Sequence, residues 1–237
     1  MAAPRRSPTC LPPAVSRTRV KFCGLVRPAD VDEAVRLGVD AVGFVFYARS
    51  PRALDADAAR SLRRRLPSWV SAVGLFVNEL PQRVADTVAA VGLDVVQFHG
   101  DESPAQCALS LPSGLPFWRA VRMRGPSDLL ESAGSFGAAE AFLVDAYTVG
   151  FGGSGQRFNW SWLPASRAFR LVLSGGLNPQ GVGDAIVQVR PDMVDVSSGI
   201  QGPDPRTKDP ALMAAFMAAV MQADARLSTP DVIGSRP

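Results

Sequence analysis

From residue 19 onward, short apolar runs alternate with segments in which apolar residues recur at helical spacing. The apolar runs have the length of β-strands, and each is followed by a segment long enough to form a helix. The pattern predicts eight strands, over residues 19–24, 41–46, 70–76, 95–100, 116–121, 141–145, 169–176 and 192–199. It predicts eight helices, over residues 28–37, 55–65, 80–91, 102–109, 127–133, 160–167, 178–188 and 209–224.

Several of the predicted helices have recognisable start signals. Asp55 and Asn178 stand where N-caps are expected, and Pro28 and Pro179 suit a first helical turn. Repeated strand–helix units imply parallel strands, because each return to the sheet needs a crossover. Eight units fit a single closed (β/α)8 TIM barrel of the α/β class, and an open doubly wound sheet is the alternative. No linker interrupts the alternation, so we expect one domain over residues 19–226.

The phase of each strand decides which side chains face the barrel interior. On the first strand, Lys21 and Cys23 share one face, and Val20 and Phe22 share the other, where apolar side chains would pack against helices. The same alternation brings further polar side chains to the inner face: Gln97, His99, Asp145 and Asp195. Active sites of such barrels lie where the strands end. We therefore expect a polar site at that mouth, since burying unused polar groups is costly.

The composition places the chain among globular proteins. Of its 237 residues, 47% are hydrophobic and 20% are charged, which excludes a disordered or fibrous protein. No apolar run approaches the ~20 residues that span a bilayer, so we expect no membrane partner. The formal net charge is +3, but residues 1–19 hold four arginines and no acidic residue. A nucleic-acid partner would rest on that basic end alone, and we expect none.

The two ends of the chain differ from the predicted barrel. Residues 1–18 are rich in Pro, Arg and Ser and lack the apolar core of a secretory signal. We expect a disordered extension or an upstream start codon, because the prolines argue against the helix of a transit peptide. We expect residues 227–237 to form a flexible tail. Cys10, Cys23 and Cys107 make neither a disulfide framework nor a zinc pair, which fits a reducing cytoplasm.

Glycine-containing turns follow the last three predicted strands. Residues 150–155 follow the sixth strand, Gly175 and Gly176 end the seventh, and Ser198 and Gly199 end the eighth. Glycine lets a backbone approach an anion closely, and the loops after the seventh and eighth strands are the usual phosphate site of these barrels. We expect a phosphate there. Residues 150–155 also match G-x-G-x-x-G, but no helix opens directly after them, so we expect no dinucleotide site.

Four side chains are candidates for chemistry at the mouth. Cys23 is either a small core residue or a thiolate base, which would need a lowered pKa. Asp145 is a structural cap, a metal ligand or a general acid, and a Cys and an Asp on opposite walls suggest acid–base work on a small substrate. One histidine and scattered carboxylates give no ligand cluster, so we expect no metal. Arg52 is either a carboxylate binder or a surface arginine, and His99 is either catalytic or structural.

Read in chain order, these residues resemble the phosphoribosylanthranilate isomerases of tryptophan biosynthesis. The matching segments are KFCGL at 21–25, GFVF at 43–46, SPR at 50–52, GLFVN at 74–78, VQFHGDE at 96–102, LVD at 143–145, GGSG at 152–155, LSGGL at 173–177, VDVSSG at 194–199 and KD at 208–209. Together they span roughly residues 19–224. Val26 stands where the family usually has Thr, and Asn159 where it commonly has Asp.

The resemblance implies a (β/α)8 barrel that converts N-(5-phosphoribosyl)anthranilate into 1-(2-carboxyphenylamino)-1-deoxyribulose 5-phosphate. This Amadori rearrangement needs no cofactor and no metal. By the same resemblance, Cys23 is the general base, Asp145 is the general acid, and Arg52 holds the anthranilate carboxylate.

The family pattern also assigns the remaining site residues. It places the substrate phosphate at Gly175, Gly176, Ser198 and Gly199. Asp195 would bind the substrate or shape the mouth. A supporting role is expected for Lys21, Gln97 and His99. The expected partner is a small phosphosugar, and the expected assembly is a monomer or a homodimer.

Other functions remain as alternatives. Another phosphosugar barrel, such as an epimerase or an enzyme that forms indole-glycerol phosphate, is the nearest enzyme. Epimerases of that kind would need metal-binding histidines, and a histidine-pathway isomerase would have Asp where Cys23 stands. A non-catalytic binding barrel would be expected to have lost Cys23 or Asp145.

Overall fold

The computed structural model describes residues 17–147 and 157–228. Its strands are β1 (Arg19–Cys23), β2 (Ala41–Val45), β3 (Ser71–Phe76), β4 (Val95–Phe98), β5 (Phe117–Met123), β6 (Ala141–Ala146), β7 (Arg170–Leu173) and β8 (Met193–Val196). Each strand pairs in parallel with the next, and β8 pairs with β1, so the sheet is a closed barrel. All eight predicted strands are confirmed, and the open doubly wound alternative is excluded.

The helices alternate with the strands in chain order. They are α1 (Pro28–Arg36), α2 (Ala56–Arg63), α3 (Pro81–Val91), α4 (Pro104–Leu109), α5 (Asp128–Ser135), α6 (Val182–Val189) and α7 (Pro210–Ser228). Asp55 caps α2 as predicted, because its side chain accepts the N–H of Ala58. Of these seven helices in the described part of the chain, none is both long and apolar enough to cross a membrane.

Among the described residues, one predicted helix is absent, and the predicted start of another is wrong. The helix expected over 160–167 is a short 3-10 turn, Trp160–Trp162, because Leu163 is extended before Pro164. Proline disfavours the α conformation in the residue before it. Asn178 does not cap a helix directly, since its side chain accepts the N–H of Gly181 in a turn that precedes α6.

Two apolar layers surround the strands. The outer layer lies between the sheet and the helices and includes Val20 and Phe22. The ring of Phe22 packs edge-on against that of Phe216 on α7, with 6.1 Å between the ring centroids. The inner layer fills the barrel with the side chains of Ala41, Val73, Val95, Trp118, Ala120, Ala141, Leu143, Val172 and Met193. Lys21 is fully buried on the inner face of β1, so the predicted phase of that strand is confirmed.

The ends of the described barrel lie together. Thr18 binds Asp224 of α7 through both its N–H and its hydroxyl, at 2.8 and 2.7 Å. Arg17 pairs with Asp40. Arg17 and Thr18 belong to the predicted extension yet contact the barrel. Helix α7 ends at Ser228, two residues past the predicted domain end at 226. Cys10 and the rest of both predicted tails lie outside the described residues.

Candidate active site

A cavity of about 510 Å³ opens where the strands end. Most of the predicted site residues line it: Cys23, Arg52, Gln97, His99, Asp145, Gly175, Gly176, Asp195 and Ser198. Lys21 lies directly beneath, and Gly199 does not reach the wall. The parallel register of the closed sheet explains this convergence, because it aligns the carboxyl ends of all strands on one rim.

Lys21 forms the charged floor of the cavity. Its Nζ donates to Asp195 Oδ1 at 2.8 Å and to Gln97 Oε1 at 3.1 Å. Burial disfavours the ammonium, but Asp195 and Cys23 outweigh that effect and raise the pKa of Lys21 above its usual value. The floor is therefore a buried ion pair from the first and last strands, with an amide from the fourth.

Cys23 ends β1 with its thiol against Gly43 of β2. A Cβ at position 43 would stand 2.7 Å from the sulfur, so only glycine leaves room there. Burial raises the pKa of the Cys23 thiol above its usual value, and Lys21 opposes this shift without cancelling it. The lowered pKa that a thiolate base at Cys23 would need is therefore not found in this structure. The thiolate is the minority form at neutral pH.

Asp145 ends β6 on another wall of the same cavity. Burial raises the pKa of its carboxyl to about 6, Asp195 adds to the shift, and the N–H of Ala146 and the charge of Lys21 oppose it. Oδ1 accepts that N–H at 2.8 Å. Gly175 crowds the same oxygen, since a Cβ there would lie 2.9 Å from it. Asp145 is therefore a carboxyl that stays protonated nearer to neutral pH than an exposed one.

His99 follows β4 and adjoins both Gln97 and Asp145. Its Nδ1 lies 2.9 Å from Gln97 Nε2, and its Nε2 lies 3.7 Å from Asp145 Oδ2. Burial lowers the pKa of the imidazole to about 3, and the charges of Lys21, Arg119 and Arg122 add to the shift. The ring is therefore neutral throughout the physiological range.

Arg52 brings a guanidinium to the rim of the cavity. Its Nη2 donates to Gln201 Oε1, and its buried Nε has no hydrogen-bond partner within the described residues. Burial lowers its pKa, but an arginine remains cationic in proteins. Gly24, at a φ of +71°, makes room for this side chain, because a Cβ there would stand 2.5 Å from Arg52 Cδ.

The loops after β7 and β8 form the far side of the rim. Gly175 and Gly176 have φ values of +86° and +63°, the left-handed region that glycine adopts readily. Ser198 begins a 3-10 turn that ends at Ile200, and Gly199 lies against the backbone of Leu177 too closely for a side chain. The glycine turn at residues 152–155, which follows the sixth strand, lies outside the described residues.

Three polar residues at the rim were not predicted to belong to the site. Ser197 Oγ donates to the carbonyl of Cys23 at 3.0 Å, and Lys208 Nζ donates to the carbonyl of Ser197 at 2.8 Å. Burial lowers the pKa of Lys208 to about 8. Ser197 and Lys208 lie in segments that carried the family resemblance, which could have flagged them. Gln201, which holds Arg52, carries no such signal.

Within residues 17–147 and 157–228, no group of three or more His, Cys, Asp or Glu side chains could hold a metal ion. Any cation for the substrate in this part of the chain must come from Lys and Arg. Arg52 lines the cavity, and the charges of Lys21 and Lys208 both act on the Cys23 thiol.

Comparisons with known proteins match the sequence and the fold of this barrel. A family model for N-(5′-phosphoribosyl)anthranilate isomerase matches residues 20–219. An enzyme of that name from Methylibium petroleiphilum is 50% identical over 216 residues, covering 91% of this chain and 100% of the relative.

Two solved structures match the fold closely. A phosphoribosyl anthranilate isomerase in complex with reduced 1-(o-carboxyphenylamino)-1-deoxyribulose 5-phosphate aligns with a TM-score of 0.76 at 36% identity, over 86% of this chain and 99% of that one. Monomers generated from the dimeric isomerase of Thermotoga maritima align with a TM-score of 0.76 at 37% identity, over the same shares of the two chains.

Proposed function

The chain belongs to the N-(5′-phosphoribosyl)anthranilate isomerase family, and on this premise we propose which side chains carry out its reaction. The reaction is the Amadori rearrangement of N-(5-phosphoribosyl)anthranilate to 1-(2-carboxyphenylamino)-1-deoxyribulose 5-phosphate, a step of tryptophan biosynthesis. One observation carries the proposal: a buried carboxyl with a pKa of about 6 and a buried thiol line the same cavity. A proton donor and a proton acceptor with separated pKa values are what this rearrangement needs.

Asp145 is the general acid. Its carboxyl gives a proton to the furanose ring oxygen as the bond between that oxygen and the anomeric carbon breaks. The nitrogen lone pair forms the new C=N bond, so the sugar opens to a Schiff base and Asp145 is left as a carboxylate. Burial supports this role, because it raises the pKa of the carboxyl to about 6 and so keeps it protonated closer to neutral pH than an exposed aspartic acid.

Cys23 is the general base. Its thiolate takes the proton from C2′, and the electrons of that C–H bond move toward the Schiff-base nitrogen to give an enolamine. The enolamine then tautomerises to the ketone. Lys21 supports this role because its charge favours the thiolate.

The directions of the two pKa shifts fix the form of the pH profile. The active form pairs a protonated Asp145, with a pKa of about 6, with an ionised Cys23, whose pKa is raised above its usual value by burial. Because the acid has the lower pKa of the two, that combination is a minority form at every pH. We expect kcat/KM to rise through the lower pKa, stay level, and fall through the higher one.

Arg52 and the late loops bind the two charged ends of the substrate. A planar guanidinium whose Nε has no partner in the described chain suits the anthranilate carboxylate. Backbone N–H groups of Gly175, Gly176, Ser198 and Gly199 suit the phosphate. Asp195 is held by Lys21 and lines the cavity, which supports a role in shaping the mouth.

The location and assembly of the protein follow from weaker observations. The described cysteines, Cys23 and Cys107, are both free and buried, which supports a reducing cytoplasm. The Thermotoga maritima relative is described as dimeric, and we propose a monomer or a homodimer for this chain. We expect a single small phosphosugar substrate and no nucleic-acid or membrane partner.

The test is the decay of substrate fluorescence on adding the full-length protein. Wild type should consume N-(5-phosphoribosyl)anthranilate, and Cys23→Ser and Asp145→Asn should each lose roughly 10²–10⁴ in rate. Cys107→Ala is the matched control, since Cys107 is buried on α4 and does not line the cavity. Wild-type rates in either site variant would remove that residue's role, and no consumption by wild type would remove the function.

A further inference from the structure

The cavity contains a hydrogen-bonded chain that the acid–base pair does not account for. It runs from Lys21 through Gln97 to His99 and ends facing Asp145. We propose that His99 is a positioning residue: it is held as the neutral Nε2–H tautomer and donates from Nε2 to Asp145. The part of this inference that concerns catalysis rests on the proposed role of Asp145 as general acid.

The donors and acceptors along this hydrogen-bonded chain determine the tautomer of His99. The ammonium of Lys21 has only protons to offer, so the atom of Gln97 that it meets at 3.1 Å is the carbonyl oxygen. The amide NH₂ of Gln97 then faces His99 Nδ1 at 2.9 Å. An amide nitrogen only donates, so Nδ1 must be the bare acceptor. The proton of a neutral imidazole is therefore on Nε2.

The Nε2–H group is buried and has no hydrogen-bond partner among the described residues. Asp145 Oδ2 faces it at 3.7 Å, slightly beyond hydrogen-bond distance. Leaving a buried N–H unpaired is costly, and catalytic hydrogen bonds often tighten only when substrate binds. Asp145 Oδ1 already accepts the N–H of Ala146, so both carboxyl oxygens then face donors of the protein. The acidic proton cannot point toward either donor and is left for the substrate.

The charges around His99 keep it from acting as an acid or base itself. The titratable and charged groups that act on His99 and Asp145 are Lys21 on β1, Arg119 and Arg122 on β5, and Asp195 on β8. The surplus of positive charge and the burial both oppose a second proton on the ring. His99 thus donates the same N–H at every working pH, and the group that titrates is Asp145.

Nuclear magnetic resonance can read the tautomer directly, because His99 is the only histidine in the chain. Full-length protein without a histidine tag, labelled with ¹⁵N-histidine, gives one pair of ring nitrogens. We expect a protonated Nε2 and a bare Nδ1, unchanged between about pH 5 and about pH 9. A protonated Nδ1, or titration within that range, overturns the proposal. This reading needs no activity, so it stands apart from the isomerase assignment.

Gln97→Glu tests the cause of the tautomer. A carboxylate at position 97 would still accept from Lys21, but it would also present an acceptor to His99 Nδ1. The ring proton should then move to Nδ1, and the ¹⁵N pattern should invert. Gln97→Leu is the matched control, because it offers neither donor nor acceptor. An unchanged Nε2–H pattern in Gln97→Glu would show that Gln97 does not set the tautomer and would overturn the proposed hydrogen-bonded chain.

The pH profile tests the effect on Asp145. A hydrogen bond from Nε2–H favours the ionised carboxyl, so His99→Leu should move the acid limb of kcat/KM upward by about one to two pH units. His99→Gln can place an amide N–H in the same direction and should restore most of the wild-type limb. If His99→Leu lowers kcat/KM equally at every pH, His99 is only structural and the proposal fails. If His99→Leu does not fold, the acid limb of kcat/KM in His99→Gln and the ¹⁵N pattern of wild type still test the proposal.

Discussion

Asp145→Asn removes one ionisable group from the barrel mouth while keeping the shape of the side chain. It therefore separates the effect of that carboxyl on folding stability from its role in catalysis. In the folded protein the pKa of Asp145 is about 6, against an ordinary value of 3.8, chiefly because the carboxyl is buried. Folding therefore takes up a proton between these two values. The contribution of Asp145 to stability is highest below this window and is lost as the pH rises through about 6.

The size of the loss follows from the shift. The difference between about 6 and 3.8, at 1.36 kcal/mol for each pKa unit, amounts to about 3 kcal/mol over the whole window. An asparagine does not titrate and does not incur this cost. Relative to wild type, Asp145→Asn should gain about 2 kcal/mol in unfolding free energy between about pH 4.5 and about pH 8.

Urea unfolding of wild type and Asp145→Asn at the two pH values measures this difference, with substrate consumption followed in parallel. Asp86→Asn, on the exposed side of α3, controls for the removal of one carboxylate from the protein as a whole. We expect a variant that is more stable at the higher pH and nearly inactive. An equal difference in stability at both pH values would refute the raised pKa, and retained turnover would refute the role as acid.

Three further substitutions probe the rest of the site. Lys21→Met leaves Asp195 buried without its cation, and urea unfolding should show a loss of about 3–5 kcal/mol; an unchanged midpoint would contradict the buried pair. Gly175→Ala puts a Cβ against the Asp145 carboxyl at a φ of +86°, so kcat should fall at least about tenfold. An unchanged kcat would mean that the loop after β7 shifts to accommodate the new methyl group. Arg52→Lys loses the planar fork, and KM should rise about tenfold with a smaller change in kcat; an unchanged KM would exclude Arg52 from carboxylate binding.

Strand periodicity explains why the inward set could be predicted. Alternation along β1 places Lys21 and Cys23 inside, and counting the strands places Gly175 and Gly176 on the rim after the seventh strand. The same argument could not find Gln201, because its contact with Arg52 joins residues 149 positions apart through two loops. Loop geometry has no period from which such a pairing could be read.

The error in the predicted helices and the unpredicted thiol pKa also have physical causes. The predicted helix at 160–167 contained Pro164, whose effect on Leu163 outweighed the helical spacing of the apolar residues. The thiol pKa depends on how deeply Cys23 is enclosed, which no local pattern encodes. Burial by the surrounding barrel raises this pKa more than the charge of Lys21 lowers it.

The ion pair at the floor has a consequence for the order in which the barrel is made. Lys21 belongs to the first strand and Asp195 to the last, 174 positions later, and the two strands also pair along their backbones. During synthesis an incomplete sheet holds an ammonium on its concave face with no counter-ion, so water must remain there. The interior can dry only when β8 arrives and closes both unpaired edges at once. In a nascent chain that stops short of residue 193, collapse of the barrel interior is therefore unfavourable, because it would bury the Lys21 ammonium without Asp195.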